Sequence, residues 1–329
     1  MSESFTWRDG DRLIRFGEGA LSEAPQLLGS GYALLASERA LASAPELSDA
    51  ADAVHILGPG RVDELSGDLL GTISAPLIVG LGGGRVIDTA KAVAAASGPA
   101  IRAAAIPTTL SAAEMTWLHR QARGADPASG FRRAGIVLND PRLSASQPIA
   151  ELAASAANAL GHAVEGCCTT LASPVPTMAA LRATSLLAAG LADPAQPRRD
   201  DLALGALLSG WSIDASWYGL HHVLSQTLVR FAGVGHGPAN SAMLRVTVPA
   251  LRERAPAALA ALDQAAGQPL EALAQKLAEL AGATSLQALG VSAEQLEQCA
   301  DQASTREELK LTPEAASRNE IAALYRAAW

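Results

Sequence analysis

The chain is poor in charge, in cysteine and in long apolar runs. Only 18% of its 329 residues are charged, whereas 49% are apolar. With alanine used heavily, that balance excludes a disordered chain and points to many buried helices. The net charge is −8, which argues against nucleic acid as a partner, because phosphates require a basic face. No stretch approaches the ~20 apolar residues that span a bilayer, so no membrane role is expected. Met1 to Gly17 (MSESFTWRDGDRLIRFG) is polar and lacks the apolar core of a secretory signal. Cys167 and Cys168 are adjacent and Cys299 is far away in sequence. So sparse and odd a set predicts reduced thiols in a cytoplasmic protein, acting as small buried residues rather than as nucleophiles.

The length suits two domains sharing a cleft. In the first 148 residues, short apolar runs alternate with helical segments. Tyr32–Ala36, Ala53–Leu57, Pro76–Leu81, Ala103–Pro107 and Gly135–Leu138 read as strands, and Val86–Ala96 reads as a helix. Such alternation predicts βαβ units and a mostly parallel, Rossmann-like sheet. Beyond Gln147-Pro148 no convincing strand follows. Alanine- and leucine-rich helical stretches cover about 151–171, 176–191, 200–230, 238–252, 255–281 and 292–303. The expected division is an α/β dinucleotide-binding domain over 1–148 and an all-helical substrate domain over 149–329.

Four motifs carry potential chemistry. Gly82-Gly83-Gly84-Arg85-Val86-Ile87-Asp88-Thr89-Ala90-Lys91 follows a strand and opens a helix. Glycines let a backbone approach a pyrophosphate, and a helix N-terminus offers unpaired N–H groups. Alone, the triplet is equally an ordinary tight turn. Pro107-Thr108-Thr109-Leu110-Ser111-Ala112-Ala113-Glu114 follows the next strand, where ligands lie in open α/β sheets. Read locally, Ser111 and Glu114 fit a helix capping box. Asn158 and His162 stand four apart on one helical face, with Glu165 just beyond. Gly219-Leu220-His221-His222, Gln226 and Gly235-His236-Gly237 complete the set. A lone helical histidine is usually structural, but four in two glycine-flanked segments suggest a site.

In order, these blocks resemble the iron-containing (group III) alcohol dehydrogenases over nearly the whole chain. Residues 82–92 (GGGRVIDTAKA) are similar to that family's GGGSxxDxAKA phosphate loop, and 107–114 to its PTTxxGSE segment. AANALGHAVEG, GLHHVLSQTL and VGHGPANSAML are similar to its metal-site blocks. GLHH, the asparagine at 158 and the ending near LYRAAW resemble the maleylacetate reductase branch. The resemblance implies NAD or NADP as cofactor, held by Gly82, Gly83, Gly84, Arg85, Asp88, Lys91, Thr108, Thr109 and Ser111. It also implies a divalent metal, Fe or Zn, on His162, His222 and His236, with Asn158 where alcohol dehydrogenases place an aspartate. Family members are commonly dimers, so a homodimer is expected.

The departures lie in the chemical centre. Asn158 brings no charge to a hard cation, although three imidazoles suit Zn²⁺, and the expectation leans toward a metal-free site. Gln226 stands where the family places a histidine, and glutamine cannot titrate. His222, His236, His162 and His221 remain as candidate catalytic groups. Arg85 replaces a serine, and Ala112-Ala113 replace Gly-Ser. The leading expectation is an NAD(P)H-dependent reductase of a small carbonyl or enone compound. The alternative is a non-redox lyase, cyclase or isomerase on the same fold; a scaffold protein ranks third. At the loop after the first expected strand, Glu38 favours NAD and Arg39 favours NADP.

Overall fold

The computed structural model describes residues 3–329. The chain divides into two compact units, Met1–Gln147 and Pro148–Trp329.

The first unit is a seven-stranded sheet: β1 (Phe5–Asp9), β2 (Arg12–Phe16), β3 (Tyr32–Ala36), β4 (Ala51–Ile56), β5 (Leu77–Gly82), β6 (Arg102–Pro107) and β7 (Ile136–Asn139), in the order β1-β2-β7-β6-β5-β3-β4. Every neighbouring pair is parallel except β1 with β2. Helices α1 (Ala24–Leu28), α2 (Glu38–Ser43), α3 (Val62–Asp68) and α4 (Gly84–Ala96) accompany it. Central strands are buried on both faces, so β3 (YALLA) and β5 (LIVGLG) are apolar throughout. Leu34, Val79 and Ile106 fill one core, while Leu35, Ile78 and Val93 fill another.

Two strands differ from expectation. The β1–β2 hairpin was not foreseen, because Phe5–Asp9 alternates half-buried with exposed residues and is rich in charge. Its signal was Asp9-Gly10 between two alternating runs, with Gly10 at φ +59°. The AVHIL run forms the edge strand β4 rather than a fully buried one; Val54 is 40% and Ile56 45% exposed.

The second unit is all helical: α5 (Ile149–Cys168), α6 (Pro174–Gly190), α7 (Arg199–Ser216), α8 (Leu220–Phe231), α9 (His236–Arg254), α10 (Pro256–Ala266), α11 (Leu270–Leu280), α12 (Ala293–Ser304) and α13 (Arg318–Ala328). The expected 200–230 helix is broken at Trp217, whose φ is +58°, a value that cannot continue a right-handed helix. The expected 255–281 helix is broken by left-handed Gly267 and by Pro269. α13 was missed, although Ser317 caps it by accepting from Glu320 N, the Ser-x-x-Glu pattern that opens many helices. No helix among the described residues is long and apolar enough to cross a membrane.

Candidate active site

In the first unit, the glycine turn and the threonine segment press against each other. β5 ends at Gly82, and α4 begins two residues later. A Cβ on Gly83 would lie 3.1 Å from Thr109 Cγ2, and one on Gly84 would lie 3.1 Å from Ser111. Thr108 N donates to Gly82 O at 3.0 Å. A larger residue would have to push Thr109 or Ser111 aside by a few tenths of an ångström, and α4 starts without a side-chain cap. Its first N–H groups therefore remain available to an anion. Arg85 is exposed on the opening turn, Thr108 is buried, and Thr109 and Ser111 are half-buried.

Lys91 has another role in this geometry. It is fully buried, and Nζ donates to Asp88 Oδ1 (2.8 Å), Ala113 O (3.0 Å) and Leu118 O (3.1 Å). An ammonium has three protons, and all three are used on the chain. Lys91 and Asp88 therefore pin the 113–118 segment to α4, supporting the turn from beneath. The capping-box reading of Ser111 and Glu114 is corrected: no helix opens there, and Ser111 Oγ stands 3.5 Å from Ala113 N, too far for a good hydrogen bond. Ala112 instead sits in the left-handed region at φ +60°, where the family's usual glycine is at ease. Glu114 is buried, its Oε2 has no partner, and burial raises its pKa to about 7. Glu38 and Arg39 are exposed in the first turn of α2, which Ser37 caps.

In the second unit the structure gathers the four histidines singled out in the sequence. α5 carries Asn158, His162 and Glu165 along one face, α8 opens with His221 and His222, and α9 starts at His236. The His162 and His222 rings stack 4.7 Å apart, and His221 meets His222 edge-on at 4.9 Å. His236 Nε2 stands 3.1 Å from Asn158 Oδ1.

The residue that organises this cluster was not assigned a role from sequence. Glu165, three residues after His162, is buried, and its Oε2 lies 2.5 Å from His222 Nδ1. It also accepts from the backbone N–H groups of Gly219 (3.0 Å), His221 (2.8 Å) and His222 (3.2 Å). Burial pushes the Glu165 pKa up, while those donors and the helix dipole favour its carboxylate form. The carboxylate holds the His222 proton on Nδ1 and leaves Nε2 with a free lone pair. Nε2 is buried and without a hydrogen-bond partner, as are His162 Nδ1 and His221 Nε2. Burial lowers the pKa of His222 and of His221 to about 3, and lowers that of His162 well below the ordinary value. These imidazoles are therefore neutral at neutral pH, suited to accept a bond or ligate rather than to store a proton. His221 Nδ1 is paired with Thr247 Oγ1 at 2.9 Å.

Gln226 lies in a separate polar group. Arg306 donates to Gln226 Oε1 (3.1 Å), to Tyr218 Oη (3.1 Å) and to Glu308, while Tyr218 Oη donates to Glu308 Oε1 (2.9 Å). Burial, followed by the Glu308 charge, raises the Tyr218 pKa. The Tyr218 and His222 rings are 6.0 Å apart.

The donor set agrees in kind with a borderline divalent ion. Three neutral imidazoles and an amide oxygen suit Zn²⁺ better than hard Fe²⁺, and the carboxylate behind His222 is the usual partner of a ligating histidine. The buried His162 Nδ1 and His222 Nε2 have no hydrogen-bond partner and are open to ligation. Among the described residues, no three His, Cys, Asp or Glu side chains converge tightly enough to enclose an ion.

The comparisons decide the family. A model of the C-terminal domain of Fe-containing alcohol dehydrogenases matches residues 152–329. The chain belongs to that family. Among its relatives, maleylacetate reductase 1 of Rhodococcus opacus is 29% identical, with 100% of this chain and 97% of that protein covered. The maleylacetate reductase of Burkholderia cepacia is 30% identical, with 88% of each covered. Among solved structures, the maleylacetate reductase of Agrobacterium tumefaciens superposes with a TM-score of 0.82 at 25% identity, covering 100% of this chain and 99% of that one. A putative alcohol dehydrogenase of Ralstonia eutropha gives 0.84 at 25% identity, covering 100% and 98%. This iron-type alcohol dehydrogenase homologue is thus an oxidoreductase, an NAD(P)H-dependent reductase acting on a small molecule. Its cysteines are free, and Cys168 and Cys299 are buried. Burial raises the Cys167 and Cys299 thiols to about 11, which leaves little thiolate for nucleophilic attack.

Proposed function

We propose that the chain reduces a small enone or carbonyl compound of the maleylacetate type with NADH or NADPH. The observation that carries this reading is the Glu165–His222 pair, which fixes one imidazole tautomer and presents an unpaired Nε2. In the first unit, the Gly82–Gly84 turn and the start of α4 hold the pyrophosphate, and Thr108, Thr109 and Ser111 bound the same turn. Bound nicotinamide supplies a hydride from its C4. In the second unit, the bare lone pair of His222 Nε2 would ligate a metal rather than donate to a substrate oxygen, with Glu165 keeping the ring oriented. A divalent ion, when bound, would have to draw His162, His222 and His236 closer together than they stand here, and it would polarise the substrate oxygen. His236 is the exposed histidine of the group and the one placed to exchange a proton with solvent.

The test is stopped-flow absorbance at the reduced-nicotinamide band with maleylacetate and each nucleotide, on protein of measured metal content. Consumption of one nucleotide per substrate is expected. Turnover of substrate with the nucleotide omitted would instead point to the lyase, cyclase or isomerase alternative. Homodimer formation, expected of this family, is checked by light scattering on the same preparation.

A further inference from the structure

A cavity in the first unit lies at the opposite end of the sheet from the glycine turn. It has a volume of about 700 Å³, within the ~300–1,000 Å³ range of small-molecule sites. Its floor is made by the first residues of β5, β6 and β7: Leu77, Arg102, Ala103 and Ile136. Its walls come from the β1–β2 turn and from the long irregular segment between β6 and β7.

Two features of this lining are unusual. The first is charge. Arg12, Arg102, Arg132 and Arg133 all line the cavity, against only two carboxylates, Asp9 and Asp11. One carboxylate is already committed, because Asp9 pairs with Arg12 at 3.3 Å. Arg12 is a strut: it also donates to Ala134 O and Glu114 O. Arg132 is not satisfied. One terminal nitrogen donates to Gly98 O at 3.3 Å, beyond the C-terminus of α4, while its Nε is buried with no partner. That Nε is closed to solvent, so a ligand in the cavity would meet the Arg132 guanidinium through its terminal nitrogens. The second feature is aromatic surface. Trp117 and Phe131 meet edge-to-face at 5.1 Å, and Phe131 remains 38% exposed. Arg133 lies 6.0 Å over the Trp117 ring. An exposed phenyl beside arginine forks matches a ligand with a flat apolar body and a carboxylate end.

We propose that this cavity is a binding site for a planar aromatic carboxylate, separate from the nucleotide turn. The carboxylate would meet Arg132 and Arg102, and the ring would lie against Phe131 and Trp117. The proposal does not depend on the redox reading, since every residue in it belongs to the sheet's other end.

The experiment is calorimetric titration of the full chain with 2-naphthoate, with neutral 2-naphthylmethanol and inorganic phosphate as comparison ligands. Naphthoate is expected to bind one-to-one, about tenfold or more tightly than either comparison, because it alone offers both ring and charge. Arg132→Gln and, separately, the exposed Arg102→Gln should each weaken naphthoate about tenfold. Arg102→Gln guards against the chance that the Arg132 variant misfolds, and thermal melts establish folding for both. Naphthoate affinity unchanged in two folded variants, or equal affinity for naphthylmethanol, overturns the proposal. Phosphate binding as tightly as naphthoate also overturns it, by showing a simple anion site.

Discussion

Glu165 accepts the Nδ1 proton of His222 at 2.5 Å while three backbone N–H groups at the head of α8 bind the same carboxylate. One side chain of α5 therefore sets the position of α8 and the tautomer of the histidine that opens it. Glu165→Gln keeps an oxygen acceptor but loses the charge. We expect reductase turnover to fall by about 10- to 100-fold, the usual effect of removing the carboxylate behind a working histidine, together with a lower Tm, because the amide NH2 would face buried N–H donors. Steady-state kinetics and calorimetry on the same preparation check this; unchanged turnover would remove Glu165 from the site.

Gly161 underlies the same cluster. A Cβ there would stand 2.6 Å from His221 Nε2 and 2.7 Å from its Cδ2. His221 is fully buried and tied to Thr247, so it has little room to retreat. Gly161→Ala should destabilise the fold by about 1–3 kcal/mol through overpacking, despite alanine's better helix propensity. Urea denaturation would detect it, and a variant as stable as the parent would contradict the packing described.

Ala112 offers the opposite case. Its φ of +60° costs an L-residue roughly 1–2 kcal/mol, and glycine avoids that cost at some entropic expense. Ala112→Gly should stabilise the protein by up to about 1 kcal/mol. The readout is the denaturant midpoint, and a fall in midpoint would refute the strain.

Glu114 predicts a pH dependence. Burial raises its pKa from 4.5 to about 7, so the folded state holds this proton more tightly than the unfolded chain does. Its contribution is fully present below pH 4.5 and is lost as the pH rises through about 7. Up to about 3 kcal/mol is at stake over that window. Neighbouring Lys91 and Arg12 pull the value down, and Asp88 pushes it up. Glu114→Gln should flatten stability against pH across this interval, measured by denaturation at a series of pH values. A slope that survives the substitution would assign it to other groups.

The sequence by itself determined the parallel sheet, the glycine turn, the helical second half and the family, because each rests on local patterns. Short apolar runs bounded by turn residues, such as Tyr32–Ala36 and Leu77–Gly82, read as strands, and glycines between a strand and a helix mark a turn whatever surrounds them. The histidine positions were legible for the same reason, through ordered, correctly spaced blocks. Tertiary structure alone decided what those residues do. Lys91 is indistinguishable in sequence from a phosphate ligand, and only folding shows its three protons used on Asp88, Ala113 and Leu118. Glu165 reads as one more helical glutamate until α8 arrives 54 to 57 residues later to claim its oxygens. Partners so distant in the chain leave no local signature, and the charge state and orientation of the buried histidines follow from such partners rather than from spacing.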